Sequence, residues 1–278
     1  MRHHRSFAIV LFAALVHFSL VPGSVEAENL FPLGVQDAHI ASLNKGEFRV
    51  GAAYHSDRHN LFQKEDANRR ILALPALSLN LGLGERIEGQ ISYSYLRLQR
   101  DGQGTRWGSG DTFFGFKLGL LPDCPKNPAT SLMVSTKLPN ADDGRDFGTD
   151  EADNYIDLLL SKDYGAVSAH LNLGVAILGA PGAQEGQDDL LRYAAGLRFA
   201  IGERAAFLVG VQGMDLGQSA NQRGAVQAGL RIPLGRAVWD IGGSVGYVDR
   251  SEEWGLRTGV SLPVTMPRLL CQAPWTSS

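Results

Sequence analysis

The sequence predicts an all-β fold, a transmembrane antiparallel up-and-down β-barrel of about twelve strands, on three observations. Apolar residues recur at every second position through most of the chain, long and tight connections alternate, and the N-terminus has the make-up of a secretory signal. Alternation decides the class because successive side chains of a strand point to opposite faces, so one face can meet lipid while the other lines a polar lumen. Residues 87–95 show it, with Ile87, Ile91, Tyr93 and Tyr95 on one face and Glu88, Gln90, Ser92 and Ser94 on the other.

Arg2 and Arg5 precede an apolar run from Phe7 to Val16, Pro22 and Gly23 follow, and Val25-Glu26-Ala27 offers small residues at the positions a signal peptidase reads. Residues 1–27 are therefore expected to be a signal peptide. The apolar run stops at His17, short of the ~20 residues of a membrane helix. Residues 28–44 form an N-terminal extension, periplasmic or folded back as a plug; Leu30, Phe31, Leu33, Val35 and Ile40 give it apolar character.

Strands follow at 45–56, 69–83, 85–99, 110–121, 129–139, 153–163, 166–179, 189–201, 204–215, 223–234, 236–249 and 252–265, so the barrel spans residues 45–265. Each is long enough for the ~9–11 residues with which a tilted strand crosses hydrocarbon. Long segments at 57–68, 100–109, 140–152 and 180–188 alternate with tight turns at Gly84-Glu85, Asp163-Tyr164-Gly165, Gly202-Glu203 and Gly235-Arg236. Outer-membrane barrels pair long extracellular loops with short periplasmic turns, which sets the expected orientation. The connection from Pro122 to Pro128 is long for such a turn, and that from Asp249 to Glu252 is short for such a loop. Residues 266–278 are left as a C-terminal periplasmic tail.

The outward face collects Phe48, Tyr54, Tyr95, Tyr193, Phe199, Trp239, Tyr247 and Trp254 near strand ends, with Leu77, Val134, Leu158, Leu171, Leu230 and Val260 between them. That is the aromatic girdle and apolar band of a membrane barrel. A soluble β-sandwich or lipocalin-like barrel also alternates, but it buries its apolar face in one core, and there are too many apolar positions here for that.

The same register sends Arg49, Glu88, Lys117, Lys137, Asp157, His170, Arg192, Arg198, Arg231, Asp240 and Arg257 inward as pore-lining residues. Arg192, Arg198, Arg231 and Arg257 suggest a basic ladder for anions, and inward glycines such as Gly174, Gly196, Gly210 and Gly229 leave space beside it. The opposing reading is a narrow barrel whose charges pair with one another and fill it.

Other chemistry is weakly signalled. Removing residues 1–27 leaves 24 basic and 28 acidic residues, so no basic excess points to nucleic acid. Gly242-Gly243-Ser244-Val245-Gly246 fits G-x-S-x-G in form, but that motif needs a strained strand-to-helix turn, and here it lies within a strand. No enzyme and no cofactor is expected. His55 and His59 share a segment with Asp57, Glu65 and Asp66 but lack the ligand pairs of a metal site, so a solvated loop is expected there and no metal. Asp142, Asp143, Asp146, Asp150, Glu151 and Asp153 read as a charged, solvated loop. Cys124 and Cys271 both fall on the periplasmic side, where an oxidising compartment would permit a disulfide between them.

Lys137-Leu138-Pro139-Asn140, Gly144, Phe147-Gly148-Thr149-Asp150, Asp157-Leu158 to Ser161-Lys162 and His170-Leu171-Asn172-Leu173-Gly174 resemble the outer-membrane transporter family of the MetA-pathway of phenol degradation. The match is clearest over about residues 110–180, and Ala38 to Tyr54 is also similar. The resemblance implies a barrel in the outer membrane of a Gram-negative bacterium that moves small, often aromatic or hydrophobic, compounds. It carries over no binding residue. The expected function is a porin-like channel for passive or gated diffusion of small compounds, aromatic or anionic ones among them. The alternative is a structural or surface-interaction barrel closed by salt bridges. Expected partners are membrane lipid, lipopolysaccharide, a small-molecule solute and the barrel assembly machinery.

Overall fold

A computed structural model describes residues 33–58, 69–102, 104–180, 187–215, 222–248 and 251–267. The expected signal peptide, Cys271, His59, Glu65, Asp66 and most of the expected C-terminal tail lie outside these residues. The strands are β1 (Lys45–Ser56), β2 (Arg69–Gly82), β3 (Ile87–Arg100), β4 (Gly104–Ser109), β5 (Thr112–Leu121), β6 (Ala129–Leu138), β7 (Asp153–Tyr164), β8 (Val167–Gly179), β9 (Gln187–Ile201), β10 (Ala205–Asp215), β11 (Arg223–Leu234), β12 (Ala237–Gly246) and β13 (Trp254–Thr265). Sequence neighbours pair antiparallel throughout, except that β4 and β5 both pair with β3, and β1 pairs with β13 from Lys45↔Thr265 to Ser56↔Trp254, which closes the sheet.

Thirteen strands make twelve staves because β4 and β5 share one. β3 pairs with β4 through Tyr95–Arg100 and with β5 through Ile87–Ser92, and the break falls at Gly110-Asp111. The reading of 100–109 as a loop is thus corrected: residues 104–109 pair back onto the β3 ladder, with Trp107 stacked on Tyr95 at 6.0 Å. Both misfitting connections are also accounted for. β12 ends at Gly246 and β13 begins at Trp254, so the last connection is longer than the sequence suggested. The 122–128 turn is folded on itself by paired backbone hydrogen bonds between Cys124 and Asn127. Pro75, which has no N–H for the ladder, sits where the β2–β3 register shifts between Ala73 and Ala76.

The tight connections share one end of the barrel, here the turn end. Gly165 and Gly235 take φ of +70° and +66° there, a conformation that a side chain would strain. Alternation sorts the faces as physical chemistry requires: Leu158 is 40% exposed while its neighbour Leu159 is fully buried. Val50, Phe114, Leu173, Leu230 and Val260 continue the exposed apolar band. A surface this apolar is stable only against lipid. Tyr54 with Trp254, and Tyr95 with Trp107, mark the loop end of that band, while Phe48, Phe199 and Trp239 lie near the turn end.

Residues 33–44 run through the interior before entering β1. Leu33 and Val35 pack on Ala194 and Leu208, and Ala38 packs on Ala129, Met133 and Leu159. The inner wall also bonds the segment's backbone. Gln36 N–H donates to Asn172 Oδ1 at 2.7 Å, Ala38 N–H to Ser161 Oγ at 2.8 Å and Ala41 N–H to Glu88 Oε2 at 2.9 Å. A segment without a partner strand must satisfy its polar groups in this way.

A polar lumen with an arginine-rich cavity

Arg49, Glu88, Lys117, Lys137, Asp157, His170, Arg231 and Asp240 are buried, Arg192 and Arg257 line a cavity, and the charges are organised largely as pairs rather than as one ladder. Lys117 Nζ is 3.2 Å from Glu88 and donates to the Asp37 carbonyl at 3.0 Å. Arg231 grips Asp240 through Nε at 2.8 Å and Nη2 at 3.3 Å. Lys137 sits 2.7 Å from Asp153 and donates to Thr149 Oγ1 at 2.7 Å. Arg49 pairs with Glu47 and donates to Ser261 Oγ, and Arg192 reaches Asp157 at 2.8 Å. His170 Nδ1 is 2.8 Å from Ser161 Oγ and 3.7 Å from Asp37. Arg198 keeps a buried Nε with no hydrogen bond among the described residues.

The four arginines expected in a basic ladder therefore divide. Arg231 is neutralised by Asp240 near the turn end, because the β11–β12 register sets the two opposite each other. Arg192 and Arg257 instead join Arg49, Arg58 and Arg223 around a cavity of about 480 Å³, where the carboxylates are Asp157 and Glu252. Gly34, Val35 and Gln36 of the interior segment form one of its walls. Arg192 lies over the ring of Tyr155, 4.6 Å from its centroid. Arg58, Arg223 and Glu252 stand at or beyond strand ends, where alternation gives no signal, and sequence reasoning missed them.

The space that inward glycines were expected to leave open is partly filled. A Cβ on Gly210 would lie 3.3 Å from Leu33, one on Gly119 would lie 2.9 Å from Ile40, and one on Gly82 would strike the backbone of Ala41 and Ser42. Gly82, Gly119 and Gly210 make room for the chain's own segment.

At the loop end, Glu252 is held well below the usual carboxylate range: burial opposes ionisation, but His55 and Arg58 outweigh it. Ser244 Oγ donates to this carboxylate at 3.2 Å, and His55 Nδ1 is 3.4 Å from the same oxygen. The acid thus stands between serine and histidine, whereas a hydrolytic triad needs the imidazole in the middle. His55 belongs to β1 rather than to a loop. The acidic loop is likewise less solvated than expected. Asp146 accepts from Arg100 and Arg106 at 3.2 Å each, its carbonyl accepts from Arg69, and Phe147 is buried against Gly108.

Lys162 bonds Asp123 at 2.6 Å and the Cys124 carbonyl, fixing the 122–128 turn. This hydrogen bond lowers the pKa of Asp123. Beside it, the hydrogen bond that His39 donates to the Asp37 carboxylate raises the pKa of His39.

The solved structures similar to this chain are outer-membrane barrels. The "COG4313" outer membrane channel from Pseudomonas putida F1 is 12% identical, with a TM-score of 0.64 over 88% of this chain and 100% of that one. The NanC porin is 10% identical, with a TM-score of 0.55 over 77% of this chain and 98% of that one. At these identities the likeness is one of fold. No curated protein matches the sequence significantly. Residues 37–262, from the interior segment to the last strand, match one family, and the chain belongs to it: the putative MetA-pathway of phenol degradation family.

Proposed function

We propose that the protein is a channel through which small anionic compounds, aromatic carboxylates among them, move down their concentration gradient. The observation that carries this reading is the cavity of about 480 Å³, lined by five arginines, Asp157 and Glu252, with Arg49 paired to Glu47 and Arg192 to Asp157. A volume of this order suits a single small molecule. Fixed cations in a low-dielectric wall attract anions and repel cations. Tyr155, under Arg192, adds an aromatic face to the same cavity. Residues 33–44 act as a plug that narrows the path. Lipopolysaccharide around the loop end and the barrel assembly machinery complete the expected setting.

The test is current and ion selectivity in planar bilayers, for the wild type and for Arg223→Gln with Arg257→Gln. The channel predicts discrete conductance with anion preference, and a reversal potential that moves toward zero in the double variant. A folded barrel that carries no current, alone or with benzoate-like anions present, overturns the proposal. It would favour the second reading, a structural barrel, for which the buried pairs Lys117–Glu88 and Arg231–Asp240 speak.

A further inference from the structure

His39 lies on the interior segment, where the segment passes the 122–128 turn and the end of β7. Its Nδ1 is 2.7 Å from Asp37 Oδ1. A carboxylate accepting from Nδ1–H fixes the tautomer whose Nε2 carries a lone pair, the arrangement that orients histidines toward metal ions. That Nε2 faces Asp163 Oδ2 at 3.9 Å, too far for a hydrogen bond. Asp123 completes the group, with one ligand atom from each of His39, Asp123 and Asp163 lying within 4.8 Å of the others. Lys162 bonds one oxygen of Asp123, and the Asp163 backbone also hydrogen-bonds that carboxylate, which holds it beside Asp163.

We propose that His39, Asp123 and Asp163 bind a transition-metal dication of the Zn²⁺ class, which ties the interior segment to the turn end of the barrel wall. Bonds of about 2.0–2.2 Å to imidazole nitrogen and carboxylate oxygen bridge the 3.9 Å gap with little movement. The imidazole ligand selects against Ca²⁺ and Mg²⁺, which prefer all-oxygen shells. Asp37, Asp123 and Asp163 against Lys162 leave a negative excess at the site, which favours a dication. Three protein ligands leave a coordination position for water. The three come from separate parts of the chain, so the ion would add a cross-link where the segment otherwise depends on hydrogen bonds and packing.

The test is equilibrium dialysis of the tag-free protein in detergent against Zn²⁺, with Ca²⁺ as competitor. One Zn²⁺ per chain is expected, undisturbed by Ca²⁺ and weakened about tenfold or more in His39→Gln and in Asp163→Asn. Asp163 is about half exposed, so its near-isosteric variant is expected to fold, which heat-dependent gel mobility checks. Absence of stoichiometric Zn²⁺, or equal affinity in both folded variants, overturns the site. Dialysis needs no current: a barrel that binds Zn²⁺ but never conducts overturns only the channel, and one that conducts without binding overturns only this site.

Discussion

Lys117 and Glu88 face each other across β5 and β3 at 3.2 Å, each about 1% exposed, and each also holds the interior segment. Lys117 donates to the carbonyl of Asp37, and Glu88 accepts from the amide of Ala41. One buried ion pair thus belongs both to the wall and to what the wall encloses. Removing one partner strands the other charge, and such losses run to about 3–5 kcal/mol, whereas apolar replacement of both is far milder. Lys117→Met is expected to lose stability on that scale, and Lys117→Met with Glu88→Leu to recover much of it, as read from guanidinium unfolding in lipid vesicles. Equal loss in the single and double variants would show that the charges do not act as a pair.

Leu33 sits among Val35, Ala194 and Leu208 and is about 1% exposed. A carboxylate there would be buried without a partner, at a cost that favours withdrawal of the segment. Leu33→Asp is expected to raise single-channel conductance while the strand content seen by circular dichroism stays unchanged. Unaltered conductance would mean that this stretch does not narrow the path.

Glu252 ionises more readily in the folded protein than in the unfolded chain, so it adds stability above the unfolded value near 4.5 and loses it as pH falls toward its depressed folded value. Arg58, Arg223 and Arg257 are the charged groups that act on it, and His55 stands 3.4 Å from the same carboxylate. Wild type is expected to be more stable than Glu252→Gln at pH 7, with the gap shrinking below about pH 4.5 in thermal unfolding. A gap that widens with acid would reverse the assignment.

Asp146 joins Arg100, Arg106 and the Arg69 side chain to the 140–152 loop. Partly exposed pairs contribute roughly 0–1 kcal/mol each, so Asp146→Ala should barely change global stability. It should instead release the loop, seen as faster protease cleavage within 140–152. Cleavage at the wild-type rate would leave Phe147 as the loop's main anchor.

The strand rhythm was readable because lipid on one side and polar groups on the other impose a pattern two residues long, visible in any short window. β4 escaped because Gly102, Gly104, Gly108 and Gly110 make residues 100–110 look like loop, although backbone pairing with β3 needs no side chain. The path of residues 33–44 had no local signature at all. Its contacts join Gln36 to Asn172 and Ala38 to Ser161, separations of 136 and 123 residues. The inner-face charges could be placed from parity, but their pairing could not, since it depends on the stagger between strands. Arg231 opposite Asp240 and Arg192 beside Asp157 are facts of register.

The seam between β1 and β13 joins residues 45–56 to residues 254–265, so the ring cannot shut until nearly the whole chain has emerged. Residues 33–44 lead directly into the strand that forms one lip of that seam. While the lips are apart, the segment can swing in sideways and meet the inner faces of β6 to β10; afterwards, threading through a mouth is the only route. Timing therefore separates two populations, barrels zipped with their leader inside and barrels zipped with it left out. Refolding the protein with residues 33–44 supplied late, as a separate peptide, would report on which event comes first.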